Sequence, residues 1–495
     1  MGRGPEMRRR AFLGGLAATA ALPACANAPA LSVRPPGRPG DALARLAPAA
    51  ERLVAEAGLG GDVSAVVADA RTGAVLEAVN PLRALPPASV LKAVTALYAL
   101  ETLGPAHRFR TRLLATGPLR RGRLEGDLVL VGGGDPSLDT DGLHALAGRA
   151  KAAGLREVAG RLLVSNGPLP LIARIDPTQP EHVGYNPAVA GLNLNFNRVH
   201  FSWEPGGGGH RVGMEARTER RRPAVATSRM RIVDRAAPTY TYAGGGAVDD
   251  WTVARRQLGG SGSRWLPVRN PDLYAGDVLR TMLRSHGIVA GAPERARAVP
   301  AGAATLAEEA GAPLEAVMRS MLRYSTNLTA EVAGLAASGA RGLRTPTLAR
   351  SGTAMAGWLE GRVGARRARF DDHSGLNGTS RLAAGDMVRL LTAPGVRARL
   401  GPVLRDMMVQ GRPRVPDTVA IEAKTGTLNF ASGLAGYFEA ESGRPLAFAV
   451  FAADTDRRAA LSLAQRERPD GGRGWAGRAR QLQYDLVERW WAVHA

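Results

Sequence analysis

The chain has 495 residues, of which 45% are hydrophobic, and it carries a formal net charge of +21. Hydrophobic cores stop growing at roughly 250–300 residues, so the length excludes a single ordinary domain, and the composition excludes a disordered or fibrous protein. A positive charge of this size attracts polyanions. The basic residues are nevertheless spread along the chain, with one cluster at Arg220, Arg221 and Arg222, and no nucleic-acid-binding motif accompanies them. We therefore predict no nucleic-acid partner and keep binding of another polyanion as an alternative.

Residues 1–26 are predicted to be an export signal. Arg9 and Arg10 precede an apolar, alanine-rich run, which is typical of a secretory signal and resembles its twin-arginine form. Cys25, the only cysteine, ends a Leu-Pro-Ala-Cys segment that resembles a bacterial lipobox, and the competing interpretation is simple cleavage after Ala26. We expect an exported, periplasmic protein, which would contact the membrane only if Cys25 carries a lipid. One cysteine also excludes an internal disulfide.

The rest of the chain alternates between apolar runs and turn residues. The Pro- and Gly-rich residues 27–40 predict a linker, and folding is expected to start near Asp41. The predicted elements, in chain order, are strands at 63–69 and 75–78, a helix from Ser89 to about Leu100, short strands with Gly-rich turns from 108 to 300, a helix at 313–323, strands at 419–423, 433–439 and 445–453, and a final amphipathic helix. This order predicts an α+β main domain formed by residues 41–107 and 301–495 and interrupted by a strand-rich inserted region at 108–300.

Ser89 and Lys92 form the first candidate catalytic pair. A serine is a poor nucleophile until a base takes its proton, and a lysine whose pKa is lowered by burial or by positive neighbours can be that base. Residues three apart on a helix share a face, and the N–H of a serine at the helix start is available to stabilise negative charge on a carbonyl oxygen. Alone the pair is a weak indication, because most such pairs are solvated helix residues.

The scarcity of lysine strengthens this hypothesis. Lys92, Lys151 and Lys424 are the only lysines among 65 basic residues. Arginine does not give up its proton in proteins, whereas a buried lysine can. Since arginine occupies nearly all the basic positions, a position that has lysine is predicted to be one where arginine cannot replace it.

Lys424-Thr425-Gly426 is the second candidate motif, and it follows the apolar run at 419–423, on a predicted strand near a sheet edge. The Thr425 hydroxyl can bind a substrate carboxylate and Lys424 adds positive charge. Gly426 lets a substrate backbone approach the strand closely. By itself the tripeptide is equally compatible with an ordinary strand end.

Ser325-Thr326-Asn327 is the third candidate motif, and it follows the predicted helix at 313–323. The Ser325 hydroxyl could relay a proton to a leaving amine, and the Asn327 amide could hold a substrate amide. As a lone tripeptide it is typical of a helix-terminal turn.

Taken in this order, Ser-x-x-Lys, Ser-x-Asn and Lys-Thr-Gly are similar to the motif set of penicillin-binding proteins and serine β-lactamases. The long gap between Lys92 and Ser325 resembles the class C penicillin-binding proteins, the D-alanyl-D-alanine carboxypeptidases and endopeptidases that carry an inserted region there. Further stretches that are similar to this family lie at 128–138, 192–197, 325–331 and 372–376.

The resemblance implies a β-lactamase/transpeptidase-like fold, with an antiparallel sheet flanked by helices, and a serine enzyme that acts on peptidoglycan stem peptides and is inhibited by β-lactam antibiotics. It implies no metal and no cofactor. The roles that it implies are nucleophile for Ser89, base for Lys92, further catalytic residues at Ser325, Asn327 and Lys424, substrate binding by Thr425, Gly426 and Thr427, and an oxyanion hole at the N–H groups of Ser89 and Thr427.

The chain departs from the family pattern in two places. Thr326 stands where aspartate is usual, and Val164-Ser165-Asn166 lacks the aspartates that are common after that strand. His373 is predicted to be a local turn residue rather than a general base. The alternatives to the peptidase are a β-lactamase or esterase with the same residues and a non-catalytic peptidoglycan-binding protein.

Overall fold

The computed structural model describes residues 47–207, 209–411 and 419–494. The predicted export signal at 1–26, with Cys25, and the predicted linker at 27–40 lie outside the described residues. Within the described ranges, no helix is both long and apolar enough to cross a membrane.

A six-stranded antiparallel sheet forms the centre of the main domain. The segments before and after the inserted region meet in this sheet, since Asp62–Asp69 pairs along its whole length with Pro445–Ala453. From one edge to the other the strands are Arg405–Val409, Val419–Leu428, Ala431–Glu439, Pro445–Ala453, Asp62–Asp69 and Val75–Val79.

Helices cover both faces of this sheet. The strand Pro445–Ala453 is buried at every residue, as expected of an apolar run between two helix layers. One face packs against Gly472–Val493, whose Trp475 and Trp490 are buried, and against Ala50–Glu56. The opposite face packs against Leu91–Leu103, Leu314–Tyr324, Asn327–Ala340, Leu348–Val363, Ala384–Leu391 and Val396–Leu400.

The inserted region has sheets and a hydrophobic core of its own. Its helices Thr140–Ala152 and Pro271–Ser285 pack on a core that includes Leu130, Trp251 and Leu279. A five-stranded sheet contains Pro293–Arg295, Leu162–Ser165, Leu128–Val131, Arg110–Ala115 and Ala304–Ala310. Three further sheets have three strands each. The first contains Gly209–Glu215, Arg198–Gly206 and Gly262–Pro267, and the second contains Ser228–Val233, Asp249–Ala254 and Tyr240–Ala243. The third contains Leu119–Arg120, Arg123–Leu124 and Glu157–Val158.

The five-stranded sheet extends past residue 300, the boundary predicted from the sequence. The strand Ala304–Ala310 pairs antiparallel with Arg110–Ala115, and Gly311 N donates a hydrogen bond to Phe109 O. We propose 108–310 as the limits of the inserted region on the basis of this pairing. The predicted fold class, an α+β protein with a helix-flanked antiparallel sheet and a strand-rich insert, is confirmed.

Candidate active site

Ser89 lies in a tight turn at the start of a buried helix. The turn Ala88–Val90 is a 3-10 helix that leads into the α-helix Leu91–Leu103, whereas the sequence predicts that the α-helix begins at Ser89 itself. The backbone of Ala88 is left-handed, with a φ of 46°. This conformation costs a residue other than glycine roughly 1–2 kcal/mol, and it persists where the surrounding structure holds the chain.

Two glycines let neighbouring segments press against this turn. A Cβ atom on Gly375 would lie 1.9 Å from the backbone oxygen of Ala88, and one on Gly426 would lie 2.9 Å from the backbone nitrogen of Ser89. Gly375 also has a φ of +72°. Only glycine fits these positions, so the loop and the strand that carry them hold the Ser89 turn in place.

Lys92 lies one helical turn after Ser89 and is fully buried. Its Nζ donates a hydrogen bond to Ser89 Oγ at 2.9 Å and another to the backbone oxygen of Ser374 at 2.8 Å. Burial and the positive charge of Lys424 lower the pKa of Lys92 to about 7, although nearby carboxyl groups act in the opposite direction. A large fraction of Lys92 is therefore neutral at neutral pH and able to take the Ser89 proton.

Lys424 and Ser325 form a second pair in the same cleft. Lys424 Nζ donates hydrogen bonds to Ser325 Oγ at 3.1 Å and to the backbone oxygen of Thr425 at 2.7 Å. Burial and the charge of Arg405 lower the pKa of Lys424 to about 8. Ser325 lies between two helices with a left-handed φ of 57°, which turns the chain sharply after Leu314–Tyr324.

The strand that carries Lys424 borders the cleft with its second half. The edge strand Arg405–Val409 pairs only with residues 419–423. Among the described strands, residues 424–428 therefore have a partner on one side only, the segment 431–435. Thr425 is half-buried and Thr427 is exposed along this stretch. Such a free strand edge can bind an extended peptide through backbone hydrogen bonds.

Asn327 begins the helix Asn327–Ala340, which the sequence analysis did not predict. Its Nδ2 donates a hydrogen bond to the backbone oxygen of Tyr185 at 2.8 Å. Tyr185 belongs to the inserted region, so the Asn327 side chain joins the main domain to the insert. Asn327 lines the same cleft as Ser89 and Ser325.

The cleft has a volume of about 760 Å³ and is built from distant parts of the chain. No motif marks several of its lining residues, so the sequence does not predict them. They are Gln179 and Tyr185 from the inserted region, Arg458, Arg466 and Arg468 from the segment before the last helix, and Arg473 from the first turn of that helix.

Polar contacts dock the inserted region on that segment. Glu467 accepts hydrogen bonds from Arg264 at 3.0 Å and contacts the His182 ring nitrogen at 2.8 Å. Arg466 donates a hydrogen bond to the backbone oxygen of Thr178 at 2.9 Å. These contacts fix the wall of the cleft that Gln179 and Tyr185 form.

A buried polar network lies behind Lys92. The acids Glu331 and Asp372 are both buried and bind the loop that carries Ser374. The ring of His373 contacts Ser351 Oγ at 2.7 Å, and burial lowers the His373 pKa to about 3. The stretches 325–331 and 372–376 are recognisable in the sequence, but their acids have no role predicted from it.

Comparison with known proteins gives a family. Residues 46–468 match the family described as D-Ala-D-Ala carboxypeptidase 3 (S13). A D-alanyl-D-alanine carboxypeptidase of Actinomadura sp. (strain R39) is 27% identical over 446 residues, which cover 81% of this chain and 79% of that protein. The D-alanyl-D-alanine carboxypeptidase DacB of Haemophilus influenzae is 23% identical over 260 residues, or 49% of this chain and 52% of that protein.

The fold has a counterpart among solved structures. The crystal structure of penicillin binding protein 4 (DacB) from Haemophilus influenzae matches with a TM-score of 0.72 at 19% identity, covering 88% of this chain and 99% of that one. The resemblance predicted from the three motifs is confirmed by the family match, which spans most of the chain. This chain belongs to the D-Ala-D-Ala carboxypeptidase 3 (S13) family of serine peptidases.

Proposed function

We propose that the protein is a serine D-alanyl-D-alanine carboxypeptidase and endopeptidase that acts on peptidoglycan stem peptides through an acyl-enzyme on Ser89. The observation that carries the proposal is the 2.9 Å contact between Lys92 Nζ and Ser89 Oγ, made by a lysine whose pKa is lowered to about 7. Family membership supports the reaction class.

Acylation begins with attack of Ser89 Oγ on the carbonyl carbon of the scissile amide. Lys92 accepts the hydroxyl proton as the new C–O bond forms. The backbone N–H groups of Ser89 and Thr427 stabilise the negative charge on the carbonyl oxygen. Collapse of this intermediate breaks the C–N bond and leaves the acyl group on Ser89.

The leaving amine needs a proton, and the second pair can deliver it. Ser325 Oγ accepts a hydrogen bond from Lys424 Nζ at 3.1 Å, and we propose that the Ser325 hydroxyl relays the proton held by Lys92 to the amine while Lys424 stays charged. Water then attacks the acyl-enzyme, Lys92 accepts its proton, and the ester bond breaks to release a carboxylate and restore the Ser89 hydroxyl. Each cycle consumes one water molecule.

Substrate binding is assigned to the free edge of residues 424–428. An extended peptide would add to this edge as a further strand, with the Thr425 hydroxyl and the Lys424 charge close to its carboxylate end. Gly426 is already in contact with the Ser89 turn, so a peptide on this strand lies directly beside the nucleophile. Asn327 would hold the amide of the residue before the cleaved bond.

β-Lactams are proposed to acylate Ser89 in the same way. A second structure of the Haemophilus influenzae penicillin binding protein 4, with a TM-score of 0.69 at 19% identity, is described as a complex with a novel β-lactam. The Ser89 and Lys92 pair of this chain supports inhibition by penicillins.

The place of action is proposed to be the periplasm. The arginine pair and apolar run within residues 1–26 support export, and Cys25 supports a lipid anchor as one form of the mature protein. Cell fractionation of the wild type and of a Cys25→Ala variant would show whether the chain is exported and whether membrane association needs Cys25.

Labelling with a fluorescent penicillin tests the reaction. We expect covalent labelling of the purified wild type, with slow loss of the label, and no labelling of Ser89→Ala. Rapid release of hydrolysed penicillin from the enzyme would instead identify a β-lactamase. Absence of labelling on folded wild type would rule out the acyl-enzyme and leave the non-catalytic peptidoglycan-binding protein.

A further inference from the structure

The orientation of the Lys92 amine depends on a backbone carbonyl that no catalytic motif contains. Lys92 Nζ contacts Ser89 Oγ at 2.9 Å and donates to Ser374 O at 2.8 Å. A neutral amine has two N–H bonds and one lone pair. When one N–H is directed at the Ser374 carbonyl, the lone pair is free to point at the Ser89 hydroxyl, which is the arrangement that proton transfer needs.

Glu331 holds the two peptide groups that lead to this carbonyl, those that carry the N–H groups of His373 and Ser374. Its Oε2 accepts the backbone N–H of His373 and its Oε1 accepts that of Ser374, both at 2.9 Å. Glu331 is fully buried in the helix that begins at Asn327. One helix therefore carries a cleft residue at its first position and anchors the Ser374 loop one turn later.

Asp372 closes the same loop from within. Its Oδ2 accepts hydrogen bonds from Ser374 Oγ at 3.1 Å and from the backbone N–H of Asn377 at 2.8 Å. Its Oδ1 accepts one from Ser380 Oγ at 3.0 Å. The three donors and the nearby Lys92 favour the charged form of Asp372 against the effect of burial, so a negative charge on Asp372 would lie close to the amine.

Charged and titratable groups on several elements surround Lys92 and affect its pKa. Lys92 lies on the helix Leu91–Leu103, and Lys424 acts on Lys92 from the strand Val419–Leu428. Glu331 and Asp372 act on Lys92 with the opposite sign. Burial raises the pKa of both acids, while their hydrogen-bond donors act against that rise. His373 is neutral, because burial lowers its pKa to about 3.

We propose that Glu331 is a positioning residue for acylation, because it orients the Ser374 carbonyl so that the Lys92 lone pair faces Ser89, and that Asp372 supplies the negative charge that offsets the effect of Lys424 on Lys92. This inference rests on the proposed function of Ser89 and Lys92. It assigns to the two buried acids an effect on the rate and pH dependence of acylation rather than contact with the substrate.

The variant Glu331→Gln tests the positioning role. Its amide nitrogen would replace one carboxyl oxygen and leave one backbone N–H of the loop without an acceptor. We expect the rate constant of acylation by penicillin to fall by roughly 10–100-fold, less than the roughly 100–10,000-fold of a complete general-base contribution because Lys92 itself remains, while the non-covalent affinity for penicillin stays unchanged. Stopped-flow measurement over a range of penicillin concentrations separates the two quantities.

Ser338→Ala is the matched control. Ser338 is buried on the same helix and hydrogen-bonds with Tyr98 and Ser351. Ser351 contacts the His373 side chain, so Ser338 is linked to the Ser374 loop through that ring and does not bond the loop backbone that Glu331 holds. The Ser338→Ala variant should be acylated by penicillin at the wild-type rate. A wild-type rate in Glu331→Gln, or an equal loss in Ser338→Ala, would overturn the positioning role. If the proposed acyl-enzyme on Ser89 is wrong, the wild type does not react with penicillin at all, so the two failures are distinguishable.

A direct readout of Lys92 tests the role of Asp372, and it does so even where Glu331→Gln does not fold. The chain has only three lysines, so carbon-13 labelling of the lysine Cε gives three resonances, which Lys151→Arg and Lys424→Arg variants assign. Asp372→Asn can keep every loop hydrogen bond if the Asn oxygen takes the place of Oδ2 and Ser380 Oγ accepts from the amide. We expect the Lys92 pKa to fall by about one unit in this variant. An unchanged or raised Lys92 pKa would refute the role of Asp372.

Discussion

Lys92 and Lys424 are electrostatically coupled, because the positive charge of Lys424 adds to the effect of burial in lowering the pKa of Lys92. The pKa of Lys92 falls to about 7 and that of Lys424 to about 8. Between these values the first lysine is mainly neutral and the second mainly charged. Two groups of the same chemical type are thereby suited to different roles, a base and a charged partner.

The first prediction is a bell-shaped pH dependence of acylation. Lys92 must lose its proton to act as a base, so the rate should rise as the pH passes about 7. Lys424 must keep its proton, so the rate should fall above about pH 8. Acylation by penicillin, followed from acid to alkaline pH, measures both limbs. A rising limb near the ordinary pKa of a lysine would contradict the assignment of Lys92 as the base.

The second prediction concerns the charge of Lys424. Lys424→Met removes a positive neighbour of Lys92, so the pKa of Lys92 should rise and the rising limb of the profile should move to higher pH. Loss of the contact with Ser325 should also lower the maximal rate by roughly 100-fold or more.

Lys424→Arg is the control for that variant, since it keeps the charge and loses only the ability to fit the Ser325 contact. Its rising limb should stay at the wild-type pH. If the limb of Lys424→Met also stays in place, the two lysines are not coupled in the way that the structure indicates.

The third prediction concerns the close approach of the strand Val419–Leu428 to the turn that contains Ser89. A Cβ atom on Gly426 would lie 2.8 Å from Pro87 O and 2.9 Å from Ser89 N, so Gly426→Ala must push the strand and the turn apart. We expect a loss of roughly 1–3 kcal/mol in the free energy of unfolding and a lower acylation rate. Chemical denaturation and penicillin labelling measure the two effects.

Gly477→Ala provides the comparison for an unobstructed site. Gly477 lies in the helix Gly472–Val493, and a Cβ atom at this position would have nothing within 4 Å. This change should stabilise the protein by roughly 0.5–1 kcal/mol and leave acylation unchanged. Equal behaviour of the two variants would show that the Gly426 contact does not limit the site.

The fourth prediction concerns Asn327, which donates a hydrogen bond to Tyr185 O. Asn327→Ala removes both this link to the inserted region and an amide that lines the cleft. We expect a loss of roughly 1 kcal/mol in the free energy of unfolding and slower acylation by penicillin.

Asn429→Ala separates the two effects of the Asn327 change. Asn429 also lines the cleft, and its Nδ2 donates to a backbone oxygen, that of Arg466, at 2.6 Å. The Asn429→Ala variant should lose a similar free energy of unfolding and keep the wild-type rate of acylation. Slower acylation to the same extent in both variants would indicate a general effect on the cleft rather than a role of Asn327.

Much of the candidate site can be predicted from the sequence, because each motif is compact. Ser89 and Lys92 lie one turn apart, so local helical geometry brings them together in most surroundings. The low number of lysines draws attention to Lys92 and Lys424 through composition alone. The apolar runs at 419–423, 433–439 and 445–453 also predict three neighbouring strands of the central sheet.

Local patterns are less reliable where backbone strain or packing overrides them. The sequence pattern predicts a helix that begins at Ser89, but the left-handed Ala88 places Ser89 in a 3-10 turn before it. The boundary predicted at residue 300 would place Ala304–Ala310 in the main domain. The backbone of this strand instead pairs with Arg110–Ala115. Pairing between distant strands leaves no mark in a short window of sequence.

The sequence by itself determined which side chains are candidates for the chemistry, a serine, two lysines and their polar partners. Only the tertiary structure decided which contacts set the pKa values and orientations of these side chains. The carbonyl that receives Lys92 lies 282 residues away at Ser374, and the partner of Asn327 lies 142 residues away at Tyr185. The physical reason is that a pKa and an orientation depend on burial, charge and hydrogen bonds in space, and these contacts form only when sheet, helices and insert pack together.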